Sequence, residues 1–579
     1  MDIIVHGADS ETYYGRPMTL QFFSDDLEYE TCYWCDEGTA TDCFMEWADS
    51  LPRQCQHVVY CHNLEFDLPE FLWSVKEKLI SLGGDFHLDI GDWHISGVYG
   101  KPTFCRMTNR KQNRQILIVD SFLWFQGPLA KAAELFCPDL PKLKQPKDLG
   151  EKKFGMNDDA FYQYAMRDAE VAYHIGKAVQ HLIREFDIRQ PVSLADMSAK
   201  IFRHHFLRHK IPQPSRAVQL AALKSYHGGK NNVVSNAAPG WHLGITAMDI
   251  SSAYPYAMSQ LPSMSIERNY RRYKKTTQPH IKSVPNLGVY QCSGTAAECD
   301  WPVIFEHGFQ PIQGKFRNVW IQGFELNEAL KSGEVKLSAI RGHYYEDEKD
   351  NRVSPFAGYC RDFYERKQSE NDPVLRYMYK LILNSVYGKF IQTRKQARII
   401  YTDCDSMETE ETHDLIAGGM FHPFIASAIC AHTRAYIHQL EHAHNALHTA
   451  TDGIFTYAKR AKRVPLSPQR KGLGSIEIEA EGDLVLLRNK CYILYSPDGK
   501  TPSQYFKKKR IKKYAKHGFQ GSVYDLEKLI AHNRRKYQAS RPNRLKEALK
   551  RGLEVNRFVT RDYVLKVGPI EVKNRREFT

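Results

Sequence analysis

Asp249-Ile-Ser-Ser-Ala-Tyr-Pro255, Lys380-Leu-Ile-Leu-Asn-Ser-Val-Tyr-Gly388 and Thr451-Asp452-Gly453 follow one another in that order, and reading them together decides the fold. The first and third can each bring a carboxylate to a sheet. Two carboxylates holding two divalent metals are what phosphoryl transfer from a nucleotide requires. At helical spacing Lys380, Asn384 and Tyr387 share a face, which places a cation for a triphosphate beside a ring for a base pair. Each segment alone has an ordinary reading: a strand end entering a turn before Pro255, a helix stopped at Gly388, a Thr-Asp-Gly hairpin turn. Their joint order, with room between them for a helical pair and a return to the sheet, points instead to a template-directed polymerase.

The 579 residues, 42% of them hydrophobic, suffice for several domains with ample cores. Met1-Asp-Ile-Ile-Val-His has no basic region followed by a long apolar run. No uninterrupted apolar stretch approaches the roughly 20 residues that span a bilayer. The expectation is therefore a cytoplasmic protein without a membrane partner. Thirteen cysteines without framework spacing fit free thiols in a reducing compartment. Cys32-x-x-Cys35 would need a second such pair to make a structural zinc site, and Cys43, Cys55 and Cys61 do not supply it.

Charge is unevenly spread. Residues 1–50 hold twelve Asp or Glu and a single Arg, whereas residues 500–579 hold 23 Lys or Arg against seven Asp or Glu. That tail carries a larger surplus than the +13 of the whole chain. Its densest run is Phe506-Lys-Lys-Lys-Arg-Ile-Lys-Lys-Tyr-Ala-Lys516. Phe506, Tyr514, Phe519 and Tyr524 interleave rings with the charges, which favours a nucleic-acid backbone over a merely solvated basic face.

The acidic N-terminal part shows a second carboxylate set. Val5 to Glu11 reads as a strand, on which Asp9 and Glu11 point to one face. Val58 to Asp67 reads as another strand running into a helix, and contributes Asn63, Phe66 and the acid Asp67. In the helical stretch Tyr164-Ala-Met-Arg-Asp168 the phenol and the carboxylate are one turn apart. Four acids and a tyrosine suit a two-metal hydrolysis.

These motifs resemble those of the family B DNA polymerases, most closely the protein-primed branch of bacteriophages with linear genomes, over nearly the whole chain. Tyr226-His-Gly228-Gly229 matches that branch's Tyr-x-Gly-Gly, and Lys490-Cys-Tyr492 its Lys-x-Tyr. The resemblance implies a multidomain α+β and α/β fold. An RNase H-like 3′–5′ exonuclease domain at residues 1–190 would precede a right-hand polymerase domain at 191–579. Within the latter it places palm at about 191–262, 351–357 and 424–490, and fingers at about 358–390. A first insertion would fall at about 263–350, a second at about 391–423, and the thumb at about 491–579.

It further implies residue roles. Asp249 and Asp452 would bind metal for nucleotide addition; Asp9, Glu11, Asp67 and Asp168 would do so for exonucleolysis, with Tyr164 orienting water. Asn63 and Phe66 would hold a 3′ end, helped by Ile118-Val-Asp-Ser-Phe122. Lys142 and Lys144 compete for one assisting role. Tyr254 would exclude the ribose 2′-hydroxyl, while Lys380, Arg376 and Lys367 would hold the triphosphate beside Asn384 and Tyr387. Lys490 and Tyr492 would grip the primer terminus. Tyr226, Gly228 and Gly229 would help pass it between sites. The implied cofactor is Mg²⁺, two per site, with Mn²⁺ as the alternative. The implied partners are DNA template and primer, deoxynucleotides and a terminal protein primer. A monomer is expected, in the host cytoplasm if the chain is viral, with the second insertion driving strand displacement.

One departure stands out: the family usually has Asp-Thr-Asp at the third motif, and Ala450 replaces the first acid. Tyr401-Thr-Asp403-Cys-Asp405 looks superficially closer to the usual pattern, but follows the fingers too soon, with no helix between, so Asp452 is preferred. The alternatives are a family B polymerase that needs no primer and a catalytically silent DNA-binding homologue.

Overall fold

The computed structural model describes residues 2–82, 84–100, 102–147, 149, 154–155, 158–235, 237–277, 280–306, 310–347, 352–403, 406–458, 472–496, 511–532, 536–542, 558–565 and 571–572. The N-terminal part is built on an eight-stranded sheet in the order Tyr29–Trp34, Arg16–Ser24, Ile3–Tyr13, Gln56–Cys61, Arg114–Asp120, Phe104–Asn109, Trp93–Tyr99, Gly84–Ile90. The three central strands, Ile3–Tyr13, Gln56–Cys61 and Arg114–Asp120, are parallel. They are correspondingly apolar on both faces, with Val58, Val59, Tyr60 and Cys61 all fully buried. The helix Asp159–Glu185 crosses this sheet, and two glycines set how closely. A Cβ on Gly7 would lie 1.8 Å from the Ala169 carbonyl oxygen, and one on Gly176 would lie 2.4 Å from the Tyr60 ring. Only hydrogen at those positions lets the helix carrying Asp168 reach the strand carrying Asp9.

A second eight-stranded sheet runs Ile511–Lys516, Cys491–Tyr495, Ile476–Arg488, Gly240–Ile250, Gly453–Tyr457, His448–Thr451, Lys230–Val233, with Glu571–Val572 beside Gly240–Ile250. The helices Ala253–Ser259 and Pro423–His444 cover it. The antiparallel pair Pro355–Ser369 and Pro373–Ser385 stands beside them, each helix opened by a proline whose missing N–H costs nothing in the first turn. Ser354 and Asp372 cap the two helices through their side chains. One continuous core joins these helices to the N-terminal sheet, from Val5 and Tyr60 through Phe202 to Phe363, Met378 and Phe424. Residues between the two sheets thus fold against both.

Residues 270–345 form a four-stranded antiparallel sheet, Tyr270–Thr277, Val335–Tyr345, Gly288–Ala296 and Gly314–Gln322, backed by the helix Gly323–Ser332. Ile476–Arg488 is one continuous strand, because Gly482 lets it run against Cys491–Tyr495: a Cβ there would collide with the Tyr495 carbonyl. After Phe390 comes one long hairpin, Thr393–Asp403 with Ser406–Ala417. One local expectation needs correction. Tyr387 does not continue the helix of Lys380 and Asn384, which ends at Ser385; it lies in a 3₁₀ turn, Val386–Phe390. The basic run from Phe506 to Arg510, and Asp405 of the rival motif, lie outside the described residues.

Candidate active sites

Asp9 and Glu11 project from the strand Ile3–Tyr13, and Asp168 meets them from its helix. One oxygen of each of these three acids lies within 4.8 Å of the others. Asp67, from the helix Leu64–Phe71, is buried and accepts a 2.7 Å hydrogen bond from Ser10 Oγ. Burial raises all four carboxyls, and neighbouring carboxylates add to it at three: Glu11 is pushed up to about 8, and Asp9 and Asp67 rise well above the usual carboxylate range. Asp168 rises less, because Lys142 Nζ stands 2.5 Å from its Oδ2. Lys142, not Lys144, is therefore the lysine at this cluster. Its Nζ also lies 5.5 Å from the centre of the Tyr164 ring, which is buried beside Asp168.

A groove of about 500 Å³ is lined by His62, Asn63, Phe122 and Gln126 to Leu129, and the charge of Lys142, which pairs with Asp168, also bears on His62. Asp120 ties its two walls together, its Oδ1 accepting from the backbone N–H of both Asn63 and Phe122 at 2.9 Å. His62 bridges Ser121 Oγ and the Gly127 carbonyl, 2.9 Å from each. Phe66 is half-buried and is not part of this lining.

In the second sheet Asp249 pairs in register with Gly453, and the Ile250 N–H donates to the Asp452 carbonyl at 3.0 Å. Thr451 and Asp452 are the two-residue turn between paired Ala450 and Gly453, Thr451 with φ +67°. The hairpin-turn reading is thus correct, and the turn is what stands Asp452 beside Asp249. A Cβ at 453 would lie 2.8 Å from Asp249 Oδ1, so the glycine leaves that oxygen its place. Burial, then Asp452, pushes Asp249 up to about 7; burial likewise raises Asp452. Glu477 lies opposite Asp249 on the neighbouring strand, with Glu479 two residues on.

Tyr254 and Tyr387 stack flat, 4.3 Å between ring centres. Lys380 is exposed, and Lys367 is close enough that, after burial, its charge lowers the Lys367 pKa, so two cations gather here. Arg376 does not join them: its guanidinium donates to the carbonyls of Glu370 and Asn371 in the turn between the two helices. Lys490, at φ +52°, faces Asp452 electrostatically. Tyr492 is buried between Phe455 and His448 rather than presented on the surface. Gly229 approaches Tyr254 so closely that a Cβ would fall 2.6 Å from its hydroxyl. Tyr226 shares a side-chain hydrogen bond with Cys430.

Residues 147–422 match the family model described as DNA polymerase type B, organellar and viral. The DNA-directed DNA polymerase of Enterobacteria phage PRD1 is 30% identical over 509 residues, covering 83% of this chain and 80% of that protein. The chain belongs to the type B DNA polymerases. It is a DNA-directed DNA polymerase of the phage type, as its motifs implied. A probable DNA polymerase of Agaricus bitorquis is 29% identical over 192 residues, 30% of this chain and 22% of that relative. The fold agrees with that of Phi29 DNA polymerase complexed with primer-template DNA, at TM-score 0.69 and 16% identity, covering 97% of this chain and all of that one. Among the described residues, no helix of this polymerase is long and apolar enough to cross a membrane.

Some polar residues at the polymerase's centre were not anticipated. Lys513 lies near both Asp249 and Asp452 and pairs with Glu479, although it was legible only as part of a basic run. Lys230 and Glu441 form a fully buried ion pair, with Thr449 Oγ1 donating to the same carboxylate. Arg434 is fully buried and held by Glu325. A lone arginine within the apolar stretch Phe424 to Ala435 was the available signal, since a buried guanidinium must find partners. Cys32 and Cys35 belong to no metal-binding group among the described residues; burial pushes their thiols up to about 11 and 12, against thiolate formation.

Proposed function

We propose that this polymerase replicates a linear genome from the hydroxyl of a terminal protein and proofreads with a separate 3′–5′ exonuclease site. The observation that carries proofreading is the Asp9, Glu11 and Asp168 cluster, which stands on a different sheet from Asp249 and Asp452. The residues fit divalent cations. Asp168 Oδ1 is buried with no hydrogen-bond partner, and the neighbouring donors are all carboxylate oxygens, the hard ligands that Mg²⁺ or Mn²⁺ prefers. In the family, bound divalent metals stabilise charge on the transferring phosphoryl group and lower the pKa of the attacking oxygen.

In this reading Asp249 and Asp452 hold two metals for nucleotide addition, and Asp9, Glu11, Asp67 and Asp168 hold two for hydrolysis. Tyr164 and Lys142 position water and charge around Asp168. Asn63 and Phe122 hold a frayed 3′ end in the groove, and Phe66, which is outside its lining, would have to turn toward it to share that grip. Lys380 and Lys367 neutralise the triphosphate, with Asn384 beside them, and Tyr254 with Tyr387 forms the floor under sugar and base. Arg376 would have to leave its turn to join. Lys490, with Tyr492 beneath it, holds the primer terminus, and Tyr226, Gly228 and Gly229 guide its transfer. The division into exonuclease, palm, fingers, thumb and two insertions is as drawn from the motifs, and the enzyme acts as a monomer in the host cytoplasm.

Support for protein priming comes from the identity with the PRD1 enzyme and from the sheet at 270–345 and the hairpin at 393–417 flanking the helical pair. The test has two parts. Purified Asp9→Ala/Glu11→Ala protein should extend a DNA primer yet fail to degrade a 3′ single strand; loss of both activities in folded protein would refute separate sites. Enzyme, Mg²⁺ or Mn²⁺, labelled deoxynucleotide and a candidate terminal protein should yield a labelled protein–nucleotide adduct. Long products on template without primer or partner would instead identify a primer-independent enzyme.

A further inference from the structure

Tyr254 is held from below. Its hydroxyl abuts Gly229, whose position depends on the preceding turn of chain, and that turn is anchored at two carbonyls. The carbonyls of His227 and Gly228 both accept from Arg434 Nη1, the latter at 2.7 Å. The rest of the guanidinium is engaged by Glu325 in a two-pronged pair, Nε to Oε1 at 2.7 Å and Nη2 to Oε2 at 2.9 Å. Arg434 is fully buried and Glu325 is 2% exposed. Glu325 belongs to the helix Gly323–Ser332, which backs the sheet at 270–345 rather than the catalytic sheet. The same helix packs Phe324 on His432 and hydrogen-bonds Glu328 to Gln439.

We propose that Arg434, clamped by Glu325, is a positioning residue for sugar selection. It fixes the His227–Gly228 backbone, which seats Gly229 under the Tyr254 hydroxyl, and so sets the depth of the pocket that a 2′-hydroxyl would have to enter. Several features favour this over a merely structural ion pair. A buried pair is by itself weak evidence for stability, since an apolar replacement of similar shape often serves as well. Here the guanidinium spends its remaining donors on two consecutive carbonyls of one loop, a use for which lysine and leucine are poor substitutes. Gly229 has no slack: a Cβ would also lie 2.5 Å from Thr451 Cγ2, in the turn that carries Asp452. A shift of the loop is therefore felt at the gate and beside the catalytic carboxylate. Sugar choice would accordingly depend on a residue of the first insertion, outside palm and fingers.

The inference rests on the reading of Tyr254 as the gate, and the experiment separates the two. Full-length parent, Tyr254→Val, Glu325→Gln and Arg434→Lys are compared in single-nucleotide incorporation, measuring kcat/KM for a deoxynucleotide and its ribonucleotide. Glu325→Gln keeps the shape but turns an amide toward Nη2, donor against donor; Arg434→Lys keeps the charge and loses the fork. Each should lower discrimination roughly tenfold, the scale of a slightly misplaced positioning group, mainly by raising kcat/KM for the ribonucleotide. A purely structural role would depress both substrates in parallel and leave the ratio unchanged. If Tyr254→Val collapses the ratio while folded Glu325→Gln and Arg434→Lys keep it, the proposal is overturned and the gate stands. If Tyr254→Val leaves the ratio intact, gate and proposal fall together. Should Arg434→Lys not fold, as judged by thermal unfolding, Glu325→Gln decides alone.

Discussion

Tyr254 and Tyr387, brought from segments 133 residues apart in the chain, lie with their rings 2° from parallel and 4.3 Å between centres. Tyr254 stands in the first turn of the helix Ala253–Ser259, Tyr387 just past the end of the helix carrying Lys380. Each ring limits the other's movement, and Tyr254 is additionally closed off by Gly229. A ring so confined cannot swing aside to admit an extra hydroxyl. Tyr254→Val removes the obstruction without adding volume and should raise ribonucleotide incorporation by one to several orders of magnitude. Unchanged discrimination in single-nucleotide assays would take Tyr254 out of that role.

Gly7 offers a test of how the N-terminal acids are assembled. With a Cβ 1.8 Å from the Ala169 carbonyl and 2.6 Å from the Tyr173 nitrogen, Gly7→Ala forces the long helix away from its strand. Both obstacles are backbone, so no side chain can yield. We expect a destabilisation of roughly 1–3 kcal/mol, as for overpacking elsewhere, and a greater loss of exonuclease than of primer extension, because Asp168 retreats from Asp9 and Glu11. Equal losses of the two activities would mean that the helix position does not set the cluster.

What was legible in the sequence, and what was not, follows from range. Asp9 and Glu11 share a strand face, and Tyr164 and Asp168 a helical turn, by local periodicity, so their grouping could be read directly. The helix through Lys380 and Asn384 followed equally from its spacing. Tyr387 was misread because spacing alone cannot tell that a helix ends at Ser385. The Arg434 to Glu325 pair spans 109 residues, and Lys513 reaches Asp249 only through the pairing of three successive strands. No local pattern encodes such meetings. That Tyr492 packs inward onto Phe455 is likewise set by the register of its strand rather than by any local pattern.

The acid cluster should leave a mark on stability. Glu11 has an ordinary pKa of 4.5 and is held at about 8 when folded without metal. Below about 4.5 both folded and unfolded chains keep the proton. Between there and 8 only the folded form does, so rising pH withdraws stability, at up to about 1.4 kcal/mol per pH unit for one such group. In chelator, the melting temperature should therefore fall between pH 6 and 8, and the Glu11→Gln variant should fall less. Metal binds the ionised form, so adding Mg²⁺ should flatten the parent's curve and stabilise more at pH 8 than at pH 6. Parallel curves for parent and variant would refute the assignment. On the acid side the buried His422, His432 and His448, each held down at about 4, work the opposite way, withdrawing stability as pH falls below about 6.5.

The remaining prediction concerns the altered third motif, where two places compete for one metal ligand. Asp452 lies in the turn beside Asp249, its backbone bonded to Ile250, on the sheet that also carries Lys490 and Lys513. Asp403 ends the first strand of the hairpin 393–417, a separate two-stranded sheet. Ala450, where the family usually has an acid, pairs with Gly453 and with Asn231 and packs against the apolar cluster of Phe455 and Tyr492, so its methyl group is used where it stands. A single acid from this turn must then serve. Removing it should cost several orders of magnitude in rate, because stabilising the transferring phosphoryl group supplies much of the catalysis. Asp452→Asn should abolish nucleotide addition while leaving 3′ single-strand degradation intact. Asp403→Asn with Asp405→Asn should leave single-nucleotide addition near the parent's and affect, at most, processivity or strand displacement. Addition surviving in Asp452→Asn but lost in the hairpin variant would move the polymerase site to the hairpin.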